Sequence, residues 1–497
     1  MKNLKEWTKG TDLCLLTGAA DVPVTEVIYD SRKAFPGCVF VCMKGSRFDS
    51  HDCIREVFDK GVRAFVVEKD PDELSLPESD EITVMKTRNV RKTLALLSAA
   101  RFDHPEKELT IIGVTGTKGK TTSTTMLTTV LNEAGIRTGL IGTNGCFIRG
   151  ERTATRNTTP ESYELFSDFR KMVDAGCSAC VMEVSSQAVK MSRIEGVTFD
   201  IGVFLNISPD HIGPDEHESF DEYLDCKAGV LRQSAAVVIN RDTEHFDELM
   251  DQCGKHEKTL FFSVDGEADE MAKNVRFLSE EGFFGSAFEA AGRMNCKVRV
   301  PLPGKYNISN TLSVIATASL MGVDPESVVC GIQKTSVDGR SEVVAATERF
   351  SVLVDYAHNE VSMESLLAAI REDYHPERLV VVFGCGGNRS KDRRTGMGTV
   401  AAKKADFTVI TSDNPRYEKP EDILKDIEDA YLAAGGKDYI LIPDRRTAIR
   451  WSMEHAAPGD LIAVIGKGHE DYQEICGVRT HFLDKEVILE EKEKLGL

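Results

Sequence analysis

The stretch Ile111-Ile112-Gly113-Val114-Thr115-Gly116-Thr117-Lys118-Gly119-Lys120-Thr121-Thr122 constrains this chain more than any other. An apolar run stops at Gly-Lys-Thr, and Met126, Leu127, Val130 and Leu131 then recur at helical spacing before Gly135. That order predicts a buried strand, a phosphate-cradling loop and a helix N-terminus, whose N–H groups and dipole favour a polyphosphate. The predicted loop comprises Gly116, Thr117, Lys118, Gly119, Lys120, Thr121 and Thr122. In such a loop the lysine, here Lys120, reaches the terminal phosphates, and the hydroxyl of Thr121 helps to hold Mg2+. One position departs from the usual pattern: Val114 stands where glycine is common. A glycine-rich turn that binds nothing is the competing reading, and it leaves the strand–loop–helix order unexplained.

With 497 residues the chain has room for about three domains, each with its own core. A formal net charge of −19 argues against a protein that coats nucleic acid or anionic membrane. The start, Met1-Lys2-Asn3-Leu4-Lys5-Glu6-Trp7, has no apolar signal core, and no run of 18 apolar residues occurs, so no membrane span is expected. Thirteen cysteines without an export signal suggest reduced thiols in the cytoplasm rather than a disulfide framework. Cys177-x-x-Cys180 has no second pair and precedes an apolar segment, so it reads as buried rather than zinc-binding.

Strands are predicted at 39–41 and 64–67, with a helix over 53–60, and a polar break at 104–108 ends this first α/β unit. Apolar runs at 179–183, 200–205 and 235–240 follow the phosphate-loop helix, as in a doubly wound, mostly parallel sheet. Residues 257–300 are irregular and read as a strand-rich insertion. A second alternating series begins near Gly339, with strands at 352–355, 379–383, 407–410 and 461–465. Each ends in a polar or glycine-rich loop, and in open α/β sheets ligands sit at that end. The fold class is therefore α/β in three domains: 1–106, 107–337 and 338–497.

Glu183 and His211 each follow an apolar strand on the side that carries the phosphate loop, which suits Mg2+ near a transferring phosphate. Singly, each is as easily a capping carboxylate or a satisfied histidine. Lys227 reads, by residue type, as a solvated helix lysine.

Several motifs in order resemble the Mur ligases, over essentially the whole chain. They are Asp30-Ser31-Arg32, the 116–122 loop, Asn157-Thr158-Thr159-Pro160, Glu183-Val184-Ser185-Ser186, Lys227, Asn307 with Asn310, and Gly339-Arg340. Asp355-Tyr356-Ala357-His358, Asp413-Asn414-Pro415-Arg416 and Gly466-Lys467-Gly468-His469-Glu470 complete the series. The resemblance implies an N-terminal UDP-binding unit, a central ATPase domain and a C-terminal Rossmann-like domain. It implies ATP-dependent amide formation in peptidoglycan precursor synthesis, through an acyl phosphate, by a cytoplasmic monomer acting on small molecules. By position Ser31 meets the UDP moiety, and Asn157, Thr158, Thr159, Ser185 and Arg193 hold the muramoyl-dipeptide. Asn307, Asn310, Arg340 and His358 meet ATP. Thr121, Glu183, His211 and Lys227, the last carbamylated by CO2, hold two Mg2+ ions. Lys120, His211 and Lys227 form the catalytic group. Two positions differ from many relatives: Gln187 for histidine, and Lys118 for asparagine.

The same resemblance points to meso-diaminopimelate as the amino acid added. Its distal carboxylate suits a bidentate arginine, and Arg416 and Arg394 match the family pattern, with Asp413, Asn414, Pro415, Gly466 and Glu470 completing the site. L-Lysine is the alternative amino acid. A folylpolyglutamate-type ligase and a nucleotide-driven switch are the more distant alternatives.

Overall fold

The structure, a computed structural model, describes residues 2–45, 48–209, 212–213, 216–280 and 283–497. The chain forms two compact units, residues 1–124 with 135–261, and residues 125–134 with 262–497.

In the first unit a five-stranded sheet is ordered Cys14–Thr17, Thr83–Lys86, Ala64–Val67, Cys38–Val41, Glu26–Ile28. Val39 and Val41 pack with Leu94 and Leu97 of the helix Val90–Arg101, while Phe40 packs with Ile54 and Val57 of Ile54–Asp59. Both faces are thus covered, which explains why these strands read as unbroken apolar runs instead of alternating.

The same unit holds the core of the central sheet, where Thr110–Thr115 lies between Ala179–Glu183 and Phe199–Phe204, parallel to both. The chain leaves Thr110–Thr115 for Thr138–Gly142, returns to Ala179–Glu183, and then crosses to Phe199–Phe204 on the other side. The strand order therefore reverses at the carboxyl end of Thr110–Thr115, the position at which open parallel sheets bind ligands. Val114 lies within this strand, buried and opposite both Glu183 and Val203. A side chain there fills the core, so the missing glycine does not disturb the loop. Cys177 and Cys180 are buried in the same apolar cluster.

In the second unit the 257–300 segment resolves into an antiparallel meander, Glu270–Glu280, Phe283–Gly292 and Cys296–Val300. A six-stranded sheet follows, ordered Glu342–Ala346, Phe350–Asp355, Asp460–Ile465, Arg378–Phe383, Phe407–Ile410, Tyr439–Leu441. All but its first pairing are parallel. Val352, Val380 and Ile462 face Ile449 and Ile488, whereas Leu353, Val381 and Ala463 face Leu367, Met397 and Ile427.

Beneath the carboxyl ends of these strands Arg445 and Asp484 form a fully buried, bidentate pair, both bonds 2.7 Å. Arg445 also donates to the carbonyls of Ser412 at 3.3 Å and Ile465 at 3.1 Å, tying together the bases of two loops. Breaking a buried pair leaves an uncompensated charge. Asp484→Asn is expected to lower unfolding free energy by about 3 kcal/mol, read as a lower urea midpoint at unchanged m-value.

Candidate active site

The loop after Thr110–Thr115 turns tightly into a helix. Gly119 adopts φ +85°, open to glycine without strain, and the helix Lys120–Glu133 starts at the next residue. Asn206, just past the neighbouring strand, accepts from the Lys118 N–H through Oδ1 at 2.9 Å and donates to the Lys118 carbonyl through Nδ2 at 3.1 Å. The backbone is thus fixed on both sides of Lys118, and its side chain is exposed. The Thr117 hydroxyl lies 3.0 Å from the Tyr223 hydroxyl and accepts from the Ser208 N–H at 3.1 Å. Lys120 curls back over the loop, donating to the carbonyls of Gly116 at 2.7 Å and Thr117 at 3.1 Å.

Glu183 ends its strand buried, beside this loop. Its Oε1 accepts from the Thr121 hydroxyl at 3.0 Å and the Thr143 N–H at 2.8 Å, and Oε2 accepts from the Thr143 hydroxyl at 3.2 Å. A Cβ at Gly142 would fall 2.3 Å from Glu183 Oε1, so only glycine lets the carboxylate sit here. The Thr143 hydroxyl is 3.0 Å from that of Thr158. A continuous chain, Thr121–Glu183–Thr143–Thr158, therefore joins the phosphate loop to the Asn157-Thr158-Thr159 segment.

Thr159 donates to the Glu183 carbonyl at 2.9 Å and accepts from the Ser185 N–H at 3.0 Å. Arg193 donates to the Thr159 carbonyl at 3.2 Å and pairs with Glu161 at 2.8 Å. Thr158, Thr159, Ser185 and Arg193 are thus brought together. Asn157 lines a cavity of about 490 Å3 with Tyr29, Asp30, Lys33 and Arg156. Ser31 follows directly, at the start of the turn Ser31–Lys33. Lys227 is buried in the helix Phe220–Arg232, its Nζ 4.7 Å from the centre of the Tyr223 ring. His211 lies outside the described residues.

In the second unit Asn307 and Asn310 are buried on the helix Lys305–Leu320, linked Nδ2 to Oδ1 at 3.0 Å. Arg340 and His358 meet at Tyr356. The guanidinium lies 4.9 Å from the centre of that ring, and the imidazole centre lies 4.6 Å from it. His469 flanks the same ring at 4.9 Å. Burial holds His358 below its ordinary pKa, and Nδ1 faces the Tyr356 carbonyl at 2.9 Å. A neutral ring must carry its proton on Nδ1 to donate there, which leaves Nε2 as an acceptor.

The loops after Phe407–Ile410 and Asp460–Ile465 meet around Asn414. Its Nδ2 donates to Glu470 Oε2 at 2.8 Å, and its Oδ1 accepts from the Glu474 N–H at 2.9 Å. Pro415 is buried between Asn414 and Arg416, and a Cβ at Gly466 would stand 3.1 Å from Asp413 Oδ2. Burial, and then the Asp413 carboxylate, push the Glu470 carboxyl above its ordinary pKa. Arg416 adopts φ +51° and donates through Nη1 to the Gly387 carbonyl at 2.7 Å. Arg394 is buried and pairs with Glu418 and Asp426, both at 2.7 Å. It therefore reaches the Arg416 loop through Glu418, with its two terminal nitrogens already engaged.

The Mur ligase middle domain profile matches residues 114–318, and the Mur ligase glutamate ligase domain profile matches residues 339–468. The UDP-N-acetylmuramoyl-L-alanyl-D-glutamate–2,6-diaminopimelate ligase of Clostridium perfringens is 36% identical over 490 residues, covering 98% of each chain. The chain is a Mur ligase. The corresponding ligase of Bacillus licheniformis is 37% identical, over 95% of each chain. A solved structure of a ligase with that same activity in its name superposes with a TM-score of 0.74 at 26% identity, covering 100% of both chains. Folylpolyglutamate synthase of Mycobacterium tuberculosis shares the Mur ligase fold over 74% of this chain and 91% of its own, with a TM-score of 0.57 at 16% identity. As a Mur ligase the protein is an ATP-dependent ligase of peptidoglycan synthesis, and no helix among the described residues is long and apolar enough to cross a membrane.

Sequence reasoning missed Asn206, Thr143, Tyr356 and Lys467. Tyr356 and Lys467 sit inside the 355–358 and 466–470 motifs, and Asn206 directly follows the apolar run 200–205, so each had a local signal. Thr143 carried none, because its partner Glu183 comes 40 residues later.

Proposed function

We propose that this Mur ligase joins meso-diaminopimelate to UDP-N-acetylmuramoyl-L-alanyl-D-glutamate at the expense of ATP. The observation that carries this reading is the Thr121–Glu183–Thr143–Thr158 chain, which sets a phosphate loop beside a polar segment suited to a second substrate. Ser31, with the cavity beside Asp30 and Asn157, takes the UDP end; Asn157, Thr158, Thr159, Ser185 and Arg193 take the muramoyl-dipeptide. Lys120 and the N–H groups of residues 116–122 take the ATP phosphates, and Asn307, Asn310, Arg340 and His358 contribute to the nucleotide site. The domains assigned are 1–106 for the UDP substrate, 107–337 for ATP and 338–497 for the amino acid.

The D-glutamate γ-carboxylate is ionised at neutral pH and attacks the γ-phosphorus, breaking the bond to ADP. The deprotonated amine then attacks the acyl carbon, and the bond to phosphate breaks to give the amide and inorganic phosphate. The Thr121 hydroxyl and Glu183 carboxylate are hard oxygen donors of the type Mg2+ selects. With His211 and a carbamylated Lys227 they would hold two ions, which supply neutralisation of phosphate charge. Lys227 is buried, and a carbamate there would turn its ammonium into an oxygen ligand. Arg416 takes the distal carboxylate and Glu470 the distal ammonium, with Asp413, Asn414, Pro415 and Gly466 shaping the site. Arg394 acts on it through Glu418. Thirteen unpaired cysteines support a reducing, cytoplasmic setting, and the protein acts as a monomer, a state that sedimentation tests.

Lys227→Ala is expected to be nearly inactive and to regain part of its turnover in millimolar acetate or other short carboxylates. An unmodified lysine by intact-protein and peptide mass under CO2, together with no rescue, would remove the carbamate from this scheme. The ligase reading itself is checked by ADP formation, which should require the UDP-dipeptide. Equal turnover of ATP alone would favour a nucleotide switch.

A further inference from the structure

Lys467 is the one charged residue of the Gly466–Glu470 motif that the reaction above leaves without a role. Its side chain is fully buried, with 0% exposure, where an ammonium is stable only if surrounded by acceptors. It donates to the Tyr472 carbonyl and lies 3.4 Å from Glu470 Oε2 and 3.5 Å from Asn414 Oδ1. These three acceptors belong to different pieces of the amino-acid site. Glu470 is its carboxylate, Asn414 belongs to the loop that ends in Arg416, and Tyr472 opens the hairpin Tyr472–Ile475 and Val478–His481.

The hairpin in turn holds Arg416. The Arg416 N–H donates to the Glu474 carbonyl at 2.9 Å, and the Cys476 N–H donates to the Arg416 carbonyl at 2.6 Å. Arg416 at φ +51° is in the left-handed region, costly for a residue with a side chain unless its surroundings impose it. The paired backbone of the hairpin is that imposition. Glu474 is fixed from both sides, since its N–H is held by Asn414 Oδ1.

We propose that Lys467 is a positioning residue for selection of the added amino acid: its buried ammonium fixes Glu470, Asn414 and the 472–481 hairpin in the arrangement that presents Arg416. The inference rests on the reading that Glu470 and Arg416 hold the distal ammonium and carboxylate of the amino acid. Asp413 and Glu470 supply two negative charges and Lys467 and Arg416 two positive ones, while the buried Arg445, which also acts on Asp413 and Glu470, is matched by Asp484. A distal centre carrying both an ammonium and a carboxylate enters this balance without changing it. Without Lys467, Glu470 keeps Asp413 as a neighbour and loses the ammonium that hydrogen-bonds it, leaving the more distant Arg445 to oppose that charge, so its carboxylate form and its pose are both weakened.

The test is steady-state kinetics of the full-length enzyme carrying Lys467→Met or Lys467→Gln. Glutamine can still donate to the Tyr472 carbonyl, so that variant separates charge from folding. For both, KM for meso-diaminopimelate is expected to rise about 30-fold or more, with kcat and the KM values for ATP and the UDP-dipeptide within about 3-fold. In a Glu470→Gln background the added effect of Lys467→Met should be clearly smaller than in the wild type, because part of it runs through Glu470 and the remainder through Asn414 and the hairpin. Full additivity, or an equal rise in every KM, would mean a general structural role and overturn the proposal. Wild-type enzyme that uses meso-diaminopimelate while both variants keep its KM overturns this inference alone. Wild-type preference for L-lysine overturns the substrate reading and this inference together.

Discussion

Lys120→Ala is expected to abolish ligation, with kcat/KM falling roughly 10³-fold or more and the fold retained. Lys120 stands at the first turn of its helix, and its ammonium reaches two loop carbonyls, at 2.7 and 3.1 Å. On the proposed reading, bound ATP would draw the same ammonium from those carbonyls to phosphate oxygens, where it would act on the charge that develops as the γ-phosphoryl group transfers. An interaction strengthened in the transition state is lost from kcat, and not only from KM. The stability cost is small, because Lys120 is itself only half-buried and the two bonds it gives up are ordinary ones to backbone carbonyls; about 1 kcal/mol is the scale for such bonds. Near wild-type ligation by a folded Lys120→Ala variant would mean that residues 116–122 do not hold the reacting phosphates.

Arg416→Ala is the second large effect. A charge-assisted bidentate contact in a closed site is worth about 2–5 kcal/mol, roughly 30-fold to several thousand-fold in kcat/KM for meso-diaminopimelate. KM for ATP and for the UDP-dipeptide should move far less. Use of L-lysine should also fall less, because lysine has no distal carboxylate to lose. With Nη1 on the Gly387 carbonyl, Nη2 and Nε remain to pair with that carboxylate. Removing the side chain also relieves little of the backbone strain, since alanine at φ +51° is still unfavourable and the 472–481 pairing still imposes it. Equal loss with both amino acids would make Arg416 a structural residue of the loop.

The strand–loop–helix around Gly119 was legible because each part has a local signature: an apolar run, a glycine needed at positive φ, and helical periodicity. The buried parallel strands were legible for the same reason, and predicted limits such as 179–183 and 407–410 coincide with those observed. Contacts between distant segments were not. Asn206 bracketing Lys118 spans 88 residues, and Glu474 binding Asn414 spans 60. Arg394 shows the limit most clearly. Its match to the family pattern suggests a fork open to a ligand carboxylate, yet Glu418 and Asp426 of the same chain occupy that fork. A sequence states that an arginine is present and is silent about which carboxylates fold against it. Lys467 is the converse, a lysine that composition assigns to the surface and the fold encloses completely.

The central claim is the reaction, and phosphate release by the wild-type enzyme tests it most directly. With ATP, Mg2+ and UDP-N-acetylmuramoyl-L-alanyl-D-glutamate present, meso-diaminopimelate, L-lysine and L-ornithine are compared as the added amino acid. Sustained phosphate release with meso-diaminopimelate, matched by a UDP-tripeptide of the correct mass and much slower with the other two, is the predicted result. Phosphate release that needs neither the UDP-dipeptide nor an amino acid, with no amide product, would contradict it.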